Sequence, residues 1–138
     1  MKTLAVVAGM ALVGISLPSL AHELTLKVDK VKNLNGNLLI AVYDKALNYS
    51  TDSQWVVVQK VKVTEGPIRI PLGDVPTGHY AVKLFQDEND NGMIDKDSAG
   101  IPIEPYGFSN NGGSYGQPSF DEAKVRIDKA TEIEIYLK

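Results

Sequence analysis

The stretch ELTLKVDKV, residues 23–31, sets apolar Leu24, Leu26 and Val28 between Glu23, Thr25, Lys27 and Asp29. Successive side chains of an extended chain point to opposite faces, so this alternation describes a strand with one face in a core and the other in water. The same period recurs downstream. NGN at residues 35–37 is turn chemistry, because Asn and Gly tolerate positive φ, and LLIAVY at 38–43 is apolar on both faces, as a central strand requires. WVVVQKVKV (55–63), IRIPL (68–72), HYAVKLF (79–85), AKVRID (123–128) and TEIEIYLK (131–138) read the same way. Pro71 cannot donate to a ladder, which puts its strand at an edge. Seven short strands joined by Gly, Pro and Asn turns predict an all-β fold, an antiparallel two-sheet sandwich of the Ig-like or prealbumin-like kind.

The chain has 138 residues, 43% of them hydrophobic and 22% charged, which predicts one ordered domain. Its formal charge of −3 argues against nucleic acid as a partner, since phosphates need a basic surface. The first residues carry Lys2, an apolar run over residues 4–17, Pro18, and small Ser19 and Ala21. That is the pattern of a signal peptide over residues 1–21, leaving residues 22–138 as a periplasmic or secreted domain that does not span a membrane after cleavage. There is no cysteine, so an exported domain of this sequence relies on its core or a bound metal instead of disulfides.

Between residues 87 and 122 the alternation stops, and a stretch this long without a period is functional or tied down. It begins DENDNGMIDKD, residues 87–97. In the calcium-loop template, oxygen ligands at alternate places converge on one ion as the chain bends about a glycine. Asp87, Asn89 and Asn91 fall at places one, three and five, Gly92 at six, Met93 at the backbone-carbonyl place and Asp95 at nine. Ser98 stands where a bidentate carboxylate belongs, leaving Asp97, Glu104 or water to replace it. Oxygen donors without His or Cys favour calcium, and two charged ligands predict an affinity on the order of 10⁻⁴ to 10⁻³ M. Ile94 is expected to point inward and anchor the loop. The competing reading is a solvated acidic turn held by side-chain to backbone bonds.

Farther on, Tyr106, Phe108, Asn110, Asn111 and Tyr115 lie among Gly, Ser and Pro, a mix able to bind a sugar or peptide. The plainer alternative, which we favour, has Phe108 and Phe120 plug the open end of the sandwich while Asn110 and Asn111 cap loop backbone.

The segment GHYAVKLFQDENDNGMIDKDSAGIPIEPYGFSNN followed by PSFDEA, within residues 78–123, resembles the exported bacterial family called domain of unknown function 2141. Its members share D-x-N-x-N-G-x-x-D and then G-x-P-x-E-x-Y-G-F-S-N-N. The resemblance implies a small secreted β domain and supplies no activity. It marks Asp87, Asn89, Asn91, Asp95, Glu104, Tyr106, Phe108, Asn110 and Asn111 as the shared loop without assigning roles. GGS stands where such proteins tend to carry a basic residue after the asparagine pair. GHYAV, residues 78–82, is also similar to the G-x-Y-x-V strand of transthyretin-like and carboxypeptidase-regulatory-like sandwiches, a likeness of architecture only.

A catalytic reading lacks a nucleophile with its base, and the expectation is a noncatalytic protein. Cleavage would make His22 the amino terminus, where its amine and ring with His79 offer nitrogen donors to copper; this is the alternative metal reading. Expected partners are a cell-surface glycan or another exported protein.

Overall fold

The computed structural model describes residue 14 and residues 20–138. The expected signal peptide, residues 1–21, lies almost wholly outside the described residues. The predicted strands form, and β1 (Ala21–Asp29) buries Leu24, Leu26 and Val28 as its alternation requires. β2 (Asn37–Tyr43), β3 (Val57–Lys62), β4 (Ile68–Pro76) and β5 (Gly78–Asp87) follow. After them come β6 (Tyr106–Phe108), β7 (Val125–Ile127) and β8 (Thr131–Tyr136), with short helices α1 (Ala46–Thr51) and α2 (Phe120–Ala123).

Two sheets result, one ordered β4-β1-β8 and the other β3-β2-β5-β6, with β7 also paired to β5. Their facing sides meet in one main core of Leu24, Leu26, Leu38, Ile40, Val82, Leu84, Ile133, Ile135 and their neighbours. Burying each such side chain contributes about 1.5–3 kcal/mol, which the ordering entropy of the chain largely offsets. β4 is an edge strand, and its ladder skips Leu72 between the pairs Leu24↔Gly73 and Thr25↔Pro71, a bulge beside the residue that cannot donate.

The structure departs from the sequence reading in four places. β1 and β8 pair in parallel, Leu26 opposite Ile133, so the sandwich is not purely antiparallel. The first and last strands can adopt either sense because no hairpin joins them. An eighth strand, β6, arises inside the segment read as one long loop. Its Tyr106 exchanges backbone hydrogen bonds with Lys138, which ties the chain end after β8 to the other sheet. The third strand begins at Val57, leaving Trp55 half exposed. Finally, Ile94 is only partly buried and joins neither apolar cluster.

A smaller apolar cluster, Tyr43, Tyr49, Ala81 and Ala123, lies on the side of the larger sheet opposite the core, beneath α1 and α2. Tyr43 and Ala81 follow core residues Val42 and Tyr80 in their strands, so alternation turns them to this outer face. α2 starts with a full capping box: Ser119 accepts the Glu122 N–H, and Glu122 accepts the Ser119 N–H.

Candidate functional site

β5 ends at Asp87, opposite Asn37 of β2, with no exposed surface. Its carboxylate closes the following turn: Oδ1 accepts the Asn91 N–H at 3.1 Å and Oδ2 the Gly92 N–H at 2.8 Å. Asp90 and Gly92 take positive φ, +55° and +79°, and so bend the chain back toward Asp87. The bend aims three side chains at one place. The amides of Asn89 and Asn91 both donate to the Asp95 carboxylate, the second at 2.8 Å, and the Asn91 Oδ1 accepts the Met93 N–H at 3.0 Å.

Glu104, also buried, fastens this turn from behind. One of its oxygens accepts the Glu88 N–H at 3.0 Å and the other the Asp95 N–H at 2.9 Å. Asp97 instead closes its own turn by accepting the Ala99 and Ile101 N–H groups at 2.9 Å. Between them, Lys96 and Pro102 form a bridge flanked by backbone bonds from Ile103 to Asp95 and from Asp97 to Ile101. Asp87, Asn89, Asn91 and Asp95 are thus drawn together, Met93 contributes backbone, Glu104 acts as a brace and Asp97 faces elsewhere.

The charges around this knot are unevenly compensated. Asp90, exposed, pairs with Lys60 at 2.7 Å, and that hydrogen bond and charge hold its carboxyl below the usual range and raise Lys60 above its own. No described Lys or Arg bonds to Asp87, Asp95 or Glu104. The β1–β2 connection packs against the same end. A Cβ on Gly36 would sit 1.8 Å from the Asp87 carbonyl oxygen, so only glycine fits there. Buried Gln86 donates to Asn33 and Asn35, and its own Oε1 has no partner among the described residues. In the sequence, Gly36 carries a turn signal, whereas nothing local marks Gln86 as the residue that holds that turn.

The aromatic segment uses its polar groups differently. Asn110 donates to the carbonyls of Glu122 and Lys124 at 2.9 and 3.0 Å. Asn111 takes the place of a strand beside β8, donating to the Glu134 carbonyl at 3.1 Å and accepting the Tyr136 N–H at 2.8 Å. Phe108 is buried, its ring 5.8 Å from that of half-buried Tyr106, whereas Tyr115 is fully exposed. Ser109, which the sequence leaves without a partner, is fully buried and joins the Val82 N–H to the Ala123 carbonyl.

A second cluster escaped sequence analysis. Lys83 lies over the rings of Tyr43 and Tyr49, 5.0 and 4.2 Å from their centres, and pairs with Asp52 at 2.7 Å. Trp55 donates to the Tyr43 hydroxyl at 3.1 Å, and Tyr49 donates to the Pro118 carbonyl at 2.9 Å. Burial, aided by the hydrogen bond to Asp52, pushes Tyr43 far above the usual phenol range. Burial and then the charges of Asp52 and Glu122 push Tyr49 up to about 12. The available signal was a lysine inside HYAVKLF, at a place where alternation turns it to the outer face.

The histidines occupy separate settings: the His22 ring is bonded to Thr77 Oγ1 at 2.7 Å, and exposed His79 stands opposite Arg126. Among the described residues, no three or more His, Cys, Asp or Glu side chains gather as for a metal ion. No helix among them is long and apolar enough to cross a membrane. The family described as "Uncharacterized protein conserved in bacteria (DUF2141)" matches residues 26–134. No curated protein and no solved structure matches the chain.

Proposed function

The chain belongs to that family, and we propose that it is a noncatalytic exported sandwich, Ig-like or prealbumin-like in kind, whose turn after β5 holds one structural calcium ion. The observation that carries this reading is Asp87: a carboxylate without exposed surface, bonded among the described residues by the N–H groups of Asn91 and Gly92, in a turn where the Asn89 and Asn91 amides both donate to a second carboxylate, Asp95. Hiding a charge from water is costly unless an opposite charge accompanies it, and no described basic side chain bonds to this one. A divalent ion between Asp87 and Asp95 supplies that charge. Asn89 and Asn91 then turn their oxygens inward, Met93 offers its carbonyl, and water completes the shell. Glu104 and Asp97 hold the turn's backbone in this reading and are not ligands. The copper alternative at His22 and His79 has less support, and so has a glycan or peptide site on the aromatic segment, where Asn110 and Asn111 are already engaged with backbone.

Calorimetric titration of the full chain tests the proposal. Binding with a dissociation constant on the order of 10⁻⁴ to 10⁻³ M is expected, and calcium at 100 times that constant adds about 2.7 kcal/mol of stability. Asp95→Asn abolishes both effects. No heat at millimolar calcium together with an unmoved melting temperature overturns the reading.

A further inference from the structure

We propose that the free edge of β3 pairs with β3 of a second copy of this chain, antiparallel and centred on Gln59, so that the larger sheet continues across the pair. The other edges are blunted. β4 carries Pro71 beside its bulge, and Gln59 donates to the Pro71 carbonyl at 3.0 Å. Asn111 occupies the outer side of β8. The far edge of the larger sheet is made of β6 and β7, each of 3 residues, and Tyr106 of β6 is bonded to Lys138. Among the described residues β3 pairs only with β2, and its 6 residues include no proline and no break in register.

The ladder to β2 shows which backbone groups are free. The Val63 N–H donates to the Gly36 carbonyl at 3.2 Å, and bonded pairs recur at every second residue of an antiparallel ladder. Val57, Gln59 and Val61 therefore bond to their partners Val42, Ile40 and Leu38. The N–H and carbonyl groups of Val58, Lys60 and Lys62 point away from the sheet, and no described residue bonds to them. Such a row is a template for another strand.

The side chains decide which strand fits. Trp55, Val56 and Val58 are exposed at this edge, leaving apolar surface for a partner to cover. Lys60 already pairs with Asp90 at 2.7 Å, and the acidic turn beside it repels a carboxylate-rich foreign strand. In self-pairing, the lysines rule on register. Centred on Lys60, that residue meets its own copy; centred on Val61, Lys60 meets Lys62 of the second copy, and like charges directly opposite are unfavourable. Centred on Val58, pairing runs past the start of the strand, where the Val56 N–H is spent on the Val42 carbonyl. Centred on Gln59, Lys60 lies opposite Val58 of the second copy, and Lys62 lies toward exposed Val56. On the inner face Val57 meets Val61, extending the core against which both already pack. One short strand buries less surface than a permanent dimer needs, so the pair exchanges with monomer.

The chain has no cysteine, so Gln59→Cys introduces a single thiol. In the proposed register it faces its own copy with Cα atoms about 4.5 Å apart, within disulfide reach. Val57→Cys and Val61→Cys stand about 13 Å from theirs, beyond it. In air, the full chain carrying Gln59→Cys is expected to form covalent dimer several-fold faster than either. Added to Gln59→Cys, Val58→Lys slows the reaction by opposing Lys60 of the second copy, and Val58→Glu quickens it, both at an unchanged melting temperature. Equal rates at the three cysteine positions, as association through apolar residues 4–17 would give, overturn the proposal. So does an equal rate with Val58→Lys and Val58→Glu.

Discussion

Residues 87–104 and 106–123 are neighbours in sequence, both rich in Asn and Gly, yet they are held in opposite ways. In the second segment polar groups reach out to other elements: Ser109 to β5, Asn111 to β8, and the Pro118 carbonyl to Tyr49 of α1. In the first, Asp87, Asp97 and Glu104 satisfy the backbone of their own turn and Asp95 gathers the amides of Asn89 and Asn91, while Glu88 and Asp90 reach Asn33, Asn37 and Lys60. A segment bonded to the sandwich shares its stability. A segment bonded to itself gains little from the core and gathers charge that an ion can offset. The comparison therefore predicts that damage in residues 106–123 shows as lost global stability, and damage in residues 87–104 as lost calcium response.

The largest expected effect lies where the acidic turn does meet the sandwich. Gly36→Ala puts a Cβ against the Asp87 carbonyl at a residue whose φ is +70°. Loss on the order of 4 kcal/mol by urea unfolding is expected, from overpacking plus backbone strain. A loss below about 1 kcal/mol would mean that the two connections slide freely and that the turn is detached.

Next in size is the alkaline limit of the segment that is tied in. Tyr49, bonded to Pro118 and stacked edgewise on Phe120 at 5.9 Å, titrates at about 12 in the fold against 10.0 unfolded. Its folded pKa is the higher one, so the stabilisation is complete below pH 10 and is lost as pH rises through about 12. About 2–3 kcal/mol should disappear across that window, read by unfolding at successive pH values. Tyr49→Phe reduces the dependence, with the raised Tyr43 supplying what remains, and an unchanged slope would sink this assignment.

Smaller still is Ser109→Ala, which strips partners from the Val82 N–H and the Ala123 carbonyl. A loss of about 1–2 kcal/mol is expected, equal in calcium and in chelator. A calcium-dependent loss would mean that the two segments act as one unit.

How much of this was legible follows from how local each feature is. Asp87, Asn89, Asn91, Gly92 and Asp95 share one turn of chain, so spacing alone brought them together. Glu104 was named as a replacement ligand, and its bonds to the Glu88 and Asp95 N–H groups depend on how the hairpin between Asp95 and Ile103 folds back. Asn110 and Asn111 read better as caps than as ligand-binding amides, but the identity of their partners in α2 and β8 is a long-range fact. Ser109 and Gln86 left no local trace beyond their residue type, and Lys83 left only its place on the outer face of its strand.

The alternation of side chains belongs to the extended backbone itself, so the strands, their inward faces and the edge place of Pro71 followed from sequence alone, as did the acidic turn about Gly92. Partner choice is a competition among strand edges of similar propensity, decided only when the whole core packs. The parallel pairing of β1 with β8, the rise of β6 within an aperiodic segment, the Lys83 site between two tyrosine rings and the pressure of Gly36 on Asp87 were therefore settled by tertiary structure.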